Sequence, residues 1–173
     1  KNGNFNSEDI DRAVPSITHC YRLGYDEIIV HSSDARVLLH IHKDAVPLLL
    51  GFEVTQMDDD LLRIVNISEP ADEKFDVMLR RVFLIIKDVG NEILAGRPKE
   101  LSERRHQLDR LLFFCMRSLT RKMTPTFRPL MLWELLRYLL DIGHAYCYLA
   151  HYNAKNKLSI DYLRSVHSYF QML

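Results

Sequence analysis

The sequence holds no uninterrupted apolar run of the roughly 18 residues that a membrane helix needs, so no membrane insertion is expected. Cysteine is scarce: Cys20, Cys115 and Cys147 are far apart and form no Cys-x-x-Cys pair. Neither a zinc ribbon nor a disulfide framework is supported, and reduced thiols among apolar neighbours fit a cytoplasmic setting. The six glycines assemble no phosphate-cradling loop, and there is no Gly-x-Ser-x-Gly or His-Glu-x-x-His motif. With no base and nucleophile at readable spacing either, the chain is not expected to be an enzyme, and no cofactor is implied. A signal peptide is also absent. The chain opens on Lys1 rather than Met, which is what a fragment with a missing upstream part would show.

Net charge is absent too, with 23 basic and 23 acidic residues, but that balance hides a division. Residues 1–73 carry six Lys/Arg against fourteen Asp/Glu, a net −8, and residues 74–173 carry seventeen against nine, a net +8. The hydrophobic period changes at the same place, near Ser68-Glu69-Pro70: short mixed segments give way to long helical stripes. The expected organisation is a small α/β module over 1–68 and a helical bundle over 69–173, an α+β fold.

Within the module, residues 1–6 are polar and read as loose. Ser7-Glu8-Asp9 caps a helix with Ile10, Val14, Ile17, Cys20 and Tyr21 on one face; Pro15 interrupts or kinks it, and Gly24 ends it. Ile28, Ile29 and Val30 form a short β-branched strand. Residues 34–50 fit a helix and, at Val37–His42, also a strand; the Ser32/Ser33/Asp34 cap favours a helix that stops at Gly51, with Pro47 counting against its last turn. Phe52–Met57 and Leu61–Ile67, separated by three aspartates, read as a hairpin, which gives an α-β-α-β-β order. Beyond Pro70, a stripe from Phe75 to Ile93 predicts one helix ended by Gly96-Arg97-Pro98. A stripe from Leu101 to Met123 predicts a second, and Trp133, Leu136, Leu139, Leu140, Gly143 and Cys147 lie on a third that starts near Pro129. A shorter fourth helix follows Ser159. Short turns make these neighbours antiparallel.

Several strings resemble archaeal PhoU-like regulators in order and spacing. Tyr21-Arg22-Leu23-Gly24-Tyr25-Asp26-Glu27-Ile28-Ile29-Val30 is similar to their helix-to-strand step. Leu50-Gly51-Phe52-Glu53-Val54, Met78-Leu79-Arg80-Arg81-Val82-Phe83-Leu84-Ile85, Leu108-Asp109-Arg110-Leu111 and Arg137-Tyr138-Leu139 continue the likeness over most of residues 15–152. The resemblance implies a PhoU-like helical bundle after a small α/β module, with an AbrB-like DNA-binding hairpin upstream of this chain. It implies a regulator of phosphate uptake that binds a transporter or signalling component and forms a homodimer. Two alternatives follow from the same family: a transcriptional regulator whose DNA-binding domain lies upstream, which would be the only route to nucleic acid, or a metal- or phosphate-sensing bundle.

The family's metal signature is mostly missing. Asp109 stands where its second-helix Asp would be, but Arg105 takes the carboxylate position four residues earlier, and Leu140 and His144 take the acidic positions of the third helix. A fixed positive charge at a ligand position opposes a cation, so no multinuclear metal site is expected. Asp109 with His144, helped by His106 or Glu103, remains as a single-metal or proton-relay grouping. The plainer reading, which we prefer, pairs Asp109 with Arg105 at i, i+4. His40 and His42 are two apart and would align only on a strand. Trp133, Tyr138, Tyr146, Tyr148 and Tyr152 fall at helical spacing, which suits bundle core and interface more than base stacking. The candidate binding surface is basic: Arg97, Lys99, Arg104, Arg105, Arg110, Arg117, Arg121, Lys122 and Arg128.

Overall fold

The computed structural model describes residues 1–68, 74–96, 100–121, 128–153 and 157–172. Its fold is α+β, a four-stranded mixed sheet followed by long helices. The chain divides into two compact units: the described residues of Lys1–Phe75 and Phe113–Phe127, and those of Asp76–Leu112 and Arg128–Leu173.

The first unit opens on a strand where polar composition suggested a loose terminus. Strand β1 (Asn2–Asn6) pairs in parallel with β2 (Glu27–His31), with Asn4 opposite Ile29. An edge strand needs only one hydrogen-bonded side, so its side chains can stay polar; that is why hydropathy misses it. Helix α1 (Ile10–Arg22) crosses between the two strands. The Asp9 carboxylate accepts hydrogen bonds from the backbone N–H of Asp11 (3.0 Å) and Arg12 (3.4 Å), the cap that the sequence predicts. Pro15 does not interrupt the helix, which continues to Arg22 and ends at Gly24 with φ +82°.

The segment after β2 is helical, as expected, but it changes pitch as it approaches Pro47. Helix α2 (Ala35–His40) passes into a π-helical turn (Ile41–Ala45) and then a 3-10 turn (Val46–Leu48). Proline lacks the N–H that an α-helical bond would need there, and the widened then tightened turns accommodate it. Gly51 follows with φ +83°, and a Cβ there would lie 1.9 Å from the Ser68 carbonyl oxygen. The hairpin β3 (Phe52–Met57) and β4 (Leu61–Asn66) forms as predicted, with a bulge between Val54 and Gln56. Sheet order is β1-β2-β4-β3, β2 running antiparallel to β4. Because Ile28 faces Ile64 and Val30 faces Leu62 in register, the four share one sheet face and are fully buried, as are Tyr21, Leu38 and Ile41.

Helices α3 (Phe75–Leu94), α4 (Leu101–Thr120), α5 (Pro129–Asn153) and α6 (Lys157–Gln171) make up the rest. The α3 stripe is buried at Val82, Ile85, Ile86, Val89 and Ile93. On α5, Leu136, Leu139, Gly143, Tyr146 and Ala150 recur every three or four residues and are buried. Helix α4 contributes to both units, residues up to Leu112 to the second and those from Phe113 to the first. Met123 and Pro125 of the predicted second helix and turn, and the Glu69-Pro70 part of the joint, lie outside the described residues. No helix among the described residues is long and apolar enough to cross a membrane.

Candidate functional site

Every residue from Leu111 to Leu119 on α4 is buried, and only Arg117 and Ser118 in that run are polar. Ser118 satisfies itself by donating to the Phe114 carbonyl at 3.0 Å. Arg117 finds its partners in the first unit. It is 1% exposed, and its guanidinium donates to the carbonyls of Tyr21 (3.1 Å) and Tyr25 (2.7 Å) and to Asp26 Oδ1 (2.9 Å). The Tyr21 carbonyl, in the last turn of α1, also accepts from the Gly24 N–H at 2.9 Å, and the Tyr25 carbonyl lies beyond the helix end, so a fork-shaped cation can bridge the two. The rings of Tyr21 and Phe52 lie 5.1 and 4.8 Å from its central carbon, within cation–π range. Arg121, one turn on, also binds Asp26. Burial would push the Asp26 carboxyl up, but the hydrogen bond from the Lys1 amino group and the charges of Arg121 and Arg117 outweigh it and hold it below its ordinary value of 3.8. This cluster is a structural clamp. Arg117 therefore does not belong to the basic surface that the sequence suggested.

The second unit brings Asp109 and His144 together, as the residual grouping anticipated. Asp109 Oδ1 lies 2.7 Å from His144 Nε2, and Arg105 Nε lies 4.0 Å from Asp109 Oδ2, so the i, i+4 pairing occurs as well. Asp109 is buried and His144 about one-third exposed. The buried carboxylate fixes the orientation of the imidazole and ties α4 to α5. Glu103 and His106 are exposed on α4. Among the described residues, no group of three or more His, Cys, Asp or Glu side chains is placed to hold a metal. A small cleft that shares Arg105 is lined by Val89, Arg104, Leu108, Tyr146 and Cys147. Burial pushes the Cys147 thiol up, with Arg105 pulling the other way, and burial pushes Cys115 up to about 12. Neither thiol is a ready thiolate nucleophile at neutral pH.

The remaining basic candidates do not share one environment. Arg104 lies 3.5 Å from Glu92, Arg110 and Arg128 are exposed, and Arg97, Lys99 and Lys122 lie outside the described residues. His40 pairs with Asp44 at 2.8 Å on successive helical turns, and His42 is exposed. Of the aromatics, Tyr146 is buried, Trp133 half-buried, and Tyr138 and Tyr148 exposed; the Tyr152 side chain lies outside those described.

Helix α5 carries a second apolar seam besides its buried one. Met131, Leu135, Tyr138, Ile142, Ala145 and Leu149 alternate spacings of four and three, the repeat of a helix-pairing face. Leu130, Met131, Leu135, Tyr138 and Tyr148 on or beside it are between 40% and 74% exposed. Arg137 lies over the Tyr138 ring at 4.5 Å and bonds to Glu134 and Asp141, which leaves this flank locally neutralised. Sequence reading placed a third helix here with one apolar stripe from Trp133 to Cys147 but did not separate the two seams. It also missed the clamp, whose signal was a lone Arg inside the run Leu111–Leu119.

Fold and side-chain groupings thus define an α+β chain whose clearest surface feature is an uncovered apolar helix face. Compared with protein-family models, curated proteins and solved structures, the chain matches none.

Proposed function

We propose that this chain is a non-catalytic regulatory or scaffold module, PhoU-like in architecture and cytoplasmic, that works through protein contacts and pairs with a second copy of itself across α5. The observation that carries this reading is the exposed seam from Met131 to Leu149. At roughly 150–250 Å² per large aromatic side chain, and less for Leu and Met, the exposed fractions of Met131, Leu135 and Tyr138 together with Leu130 and Tyr148 on its flank sum to on the order of 500 Å². That matches the largest apolar patch of an ordinary monomer, which is often functional. Two copies together cover about 1,000 Å² of apolar surface, the threshold for a specific interface. A twofold pair is the simplest closed arrangement, because it sets the same seam against itself.

Light scattering at micromolar concentration tests it. The 20.4 kDa chain is expected to run as a dimer, and Leu135→Glu with Tyr138→Glu as a monomer with unchanged helicity. A wild-type monomer mass throughout that range overturns the pairing.

A further inference from the structure

His167, on α6, is 3% exposed in the interior of the second unit. Its Nε2 lies 3.0 Å from Asn91 Oδ1, and Gln171 Nε2 lies 3.1 Å from the same oxygen. Gln171 Nε2 also lies 2.9 Å from His167 Nε2, and of these neighbours the Asn91 oxygen is the one that can only accept. This geometry selects the neutral tautomer with its proton on Nε2. Nδ1 is then a bare lone pair, buried and without a hydrogen-bond partner. It faces the backbone of α3 so closely that a Cβ on Gly90 would come within 2.2 Å of it. Glycine at position 90 is what lets the ring seat there.

We propose that His167 makes α6 a pH-sensitive latch, holding to α3 and α5 while the imidazole is neutral and letting go when it is protonated. A second proton goes to Nδ1, where the new N–H meets Gly90 and finds no acceptor. An unpaired donor and a buried charge are both costly. The groups facing the ring offer no compensation. Lys87 on α3 is a like charge, Asn91 already accepts two bonds, Tyr146 on α5 presents its ring at 6.2 Å, and Gln171 is a neutral amide. Burial, with Lys87 adding to it, holds the imidazole below its ordinary 6.5. The unfolded or detached α6 binds the proton more readily, so attachment is fully supported above pH 6.5 and weakens as pH falls below it.

Backbone amide exchange of α6 in the full chain tests this at pH 7.5 and 5.5, after correction for intrinsic rates. Below 6.5, the open fraction of α6 is expected to rise towards tenfold per pH unit until the folded imidazole itself titrates, and in His167→Gln, which keeps an Nε-type donor, to stay flat. In the wild type, imidazole nitrogen NMR is expected to show the Nε2–H tautomer titrating below 6.5, a reading that needs no variant to fold. The same acid-dependent opening in His167→Gln, no opening in the wild type, or a His167 that titrates at or above 6.5 overturns the latch.

Discussion

A guanidinium removed from water must find fixed acceptors, and Arg117 finds three oxygens and two ring faces within the first unit. Removing it takes the guanidinium donor from the Tyr25 and Tyr21 carbonyls and leaves Asp26 with only Arg121 and the Lys1 amino group of its three cationic partners. Breaking a buried pair costs about 3–5 kcal/mol, and because Asp26 is partly solvated we expect the low end, about 3 kcal/mol, for Arg117→Ala in urea unfolding. Arg117→Lys should not restore the loss, since an ammonium cannot present a planar fork to separated acceptors. Asp26 gives the clamp a pH dependence. Its carboxyl sits lower in the folded chain than the ordinary 3.8, so its stabilisation is present above that value and lost as pH falls through the folded one. Asp26→Asn should therefore be less stable than wild type at pH 5, with the gap closing towards pH 2. Little of this was legible beforehand. The Tyr25-Asp26 step and Arg117 are about ninety residues apart, and charge patterning alone placed Arg117 with the solvated arginines of α4.

Elements whose local chemistry and periodicity agreed were legible from sequence. The Asp9 cap, Gly24, the aspartate-linked hairpin and the α5 start at Pro129 all fall where turn chemistry placed them. Where the prediction failed, a tertiary partner had overridden local preference. Strand β1 exists because β2 offers it a ladder, whereas the helix before Gly51 was foreseen and Pro47 disturbs its last turns as expected, by a change of pitch. Gly51 was foreseen as a stop, but the close Ser68 carbonyl was not. Both constraints act on Gly51→Ala, a left-handed φ and a backbone oxygen 1.9 Å from the new methyl. We expect a loss of roughly 1–3 kcal/mol, the range for a residue held in an unfavourable backbone region, with the excess taken up by displacement of residues 67–68, just past the end of β4. Thermal unfolding beside Gly96→Ala, where a Cβ meets nothing within 4 Å, separates the two causes: both positions have positive φ, but only Gly51 has the obstructing carbonyl.

For the whole molecule, the opposite charges of the two sequence halves are halved in the two units, to a net −4 for residues 1–75 with 113–127 and a net +4 for residues 76–112 with 128–173. The C-terminal part of α4 belongs to the first unit, so Arg117 and Arg121 from the basic half meet Asp26 from the acidic half inside it. In the second unit Arg104 and Arg105 lie beside Glu92 and Asp109. These carboxylates compete with a polyanion for Arg104, Arg105, Arg117 and Arg121, and the net −4 of the first unit repels one. Binding of this chain to duplex DNA should be weak and without sequence preference, and should fall steeply between low and physiological salt, because each neutralised phosphate steepens the dependence. Sequence readout needs a helix or ribbon that enters a groove, and α4, buried from Leu111 to Leu119, cannot present that stretch to one. A salt titration against specific and random duplexes, with Arg104→Ala/Arg105→Ala as control, measures this. Tight, selective binding that survives physiological salt would mean that a base-reading surface exists on these residues and that contacts between proteins are not the chain's main work.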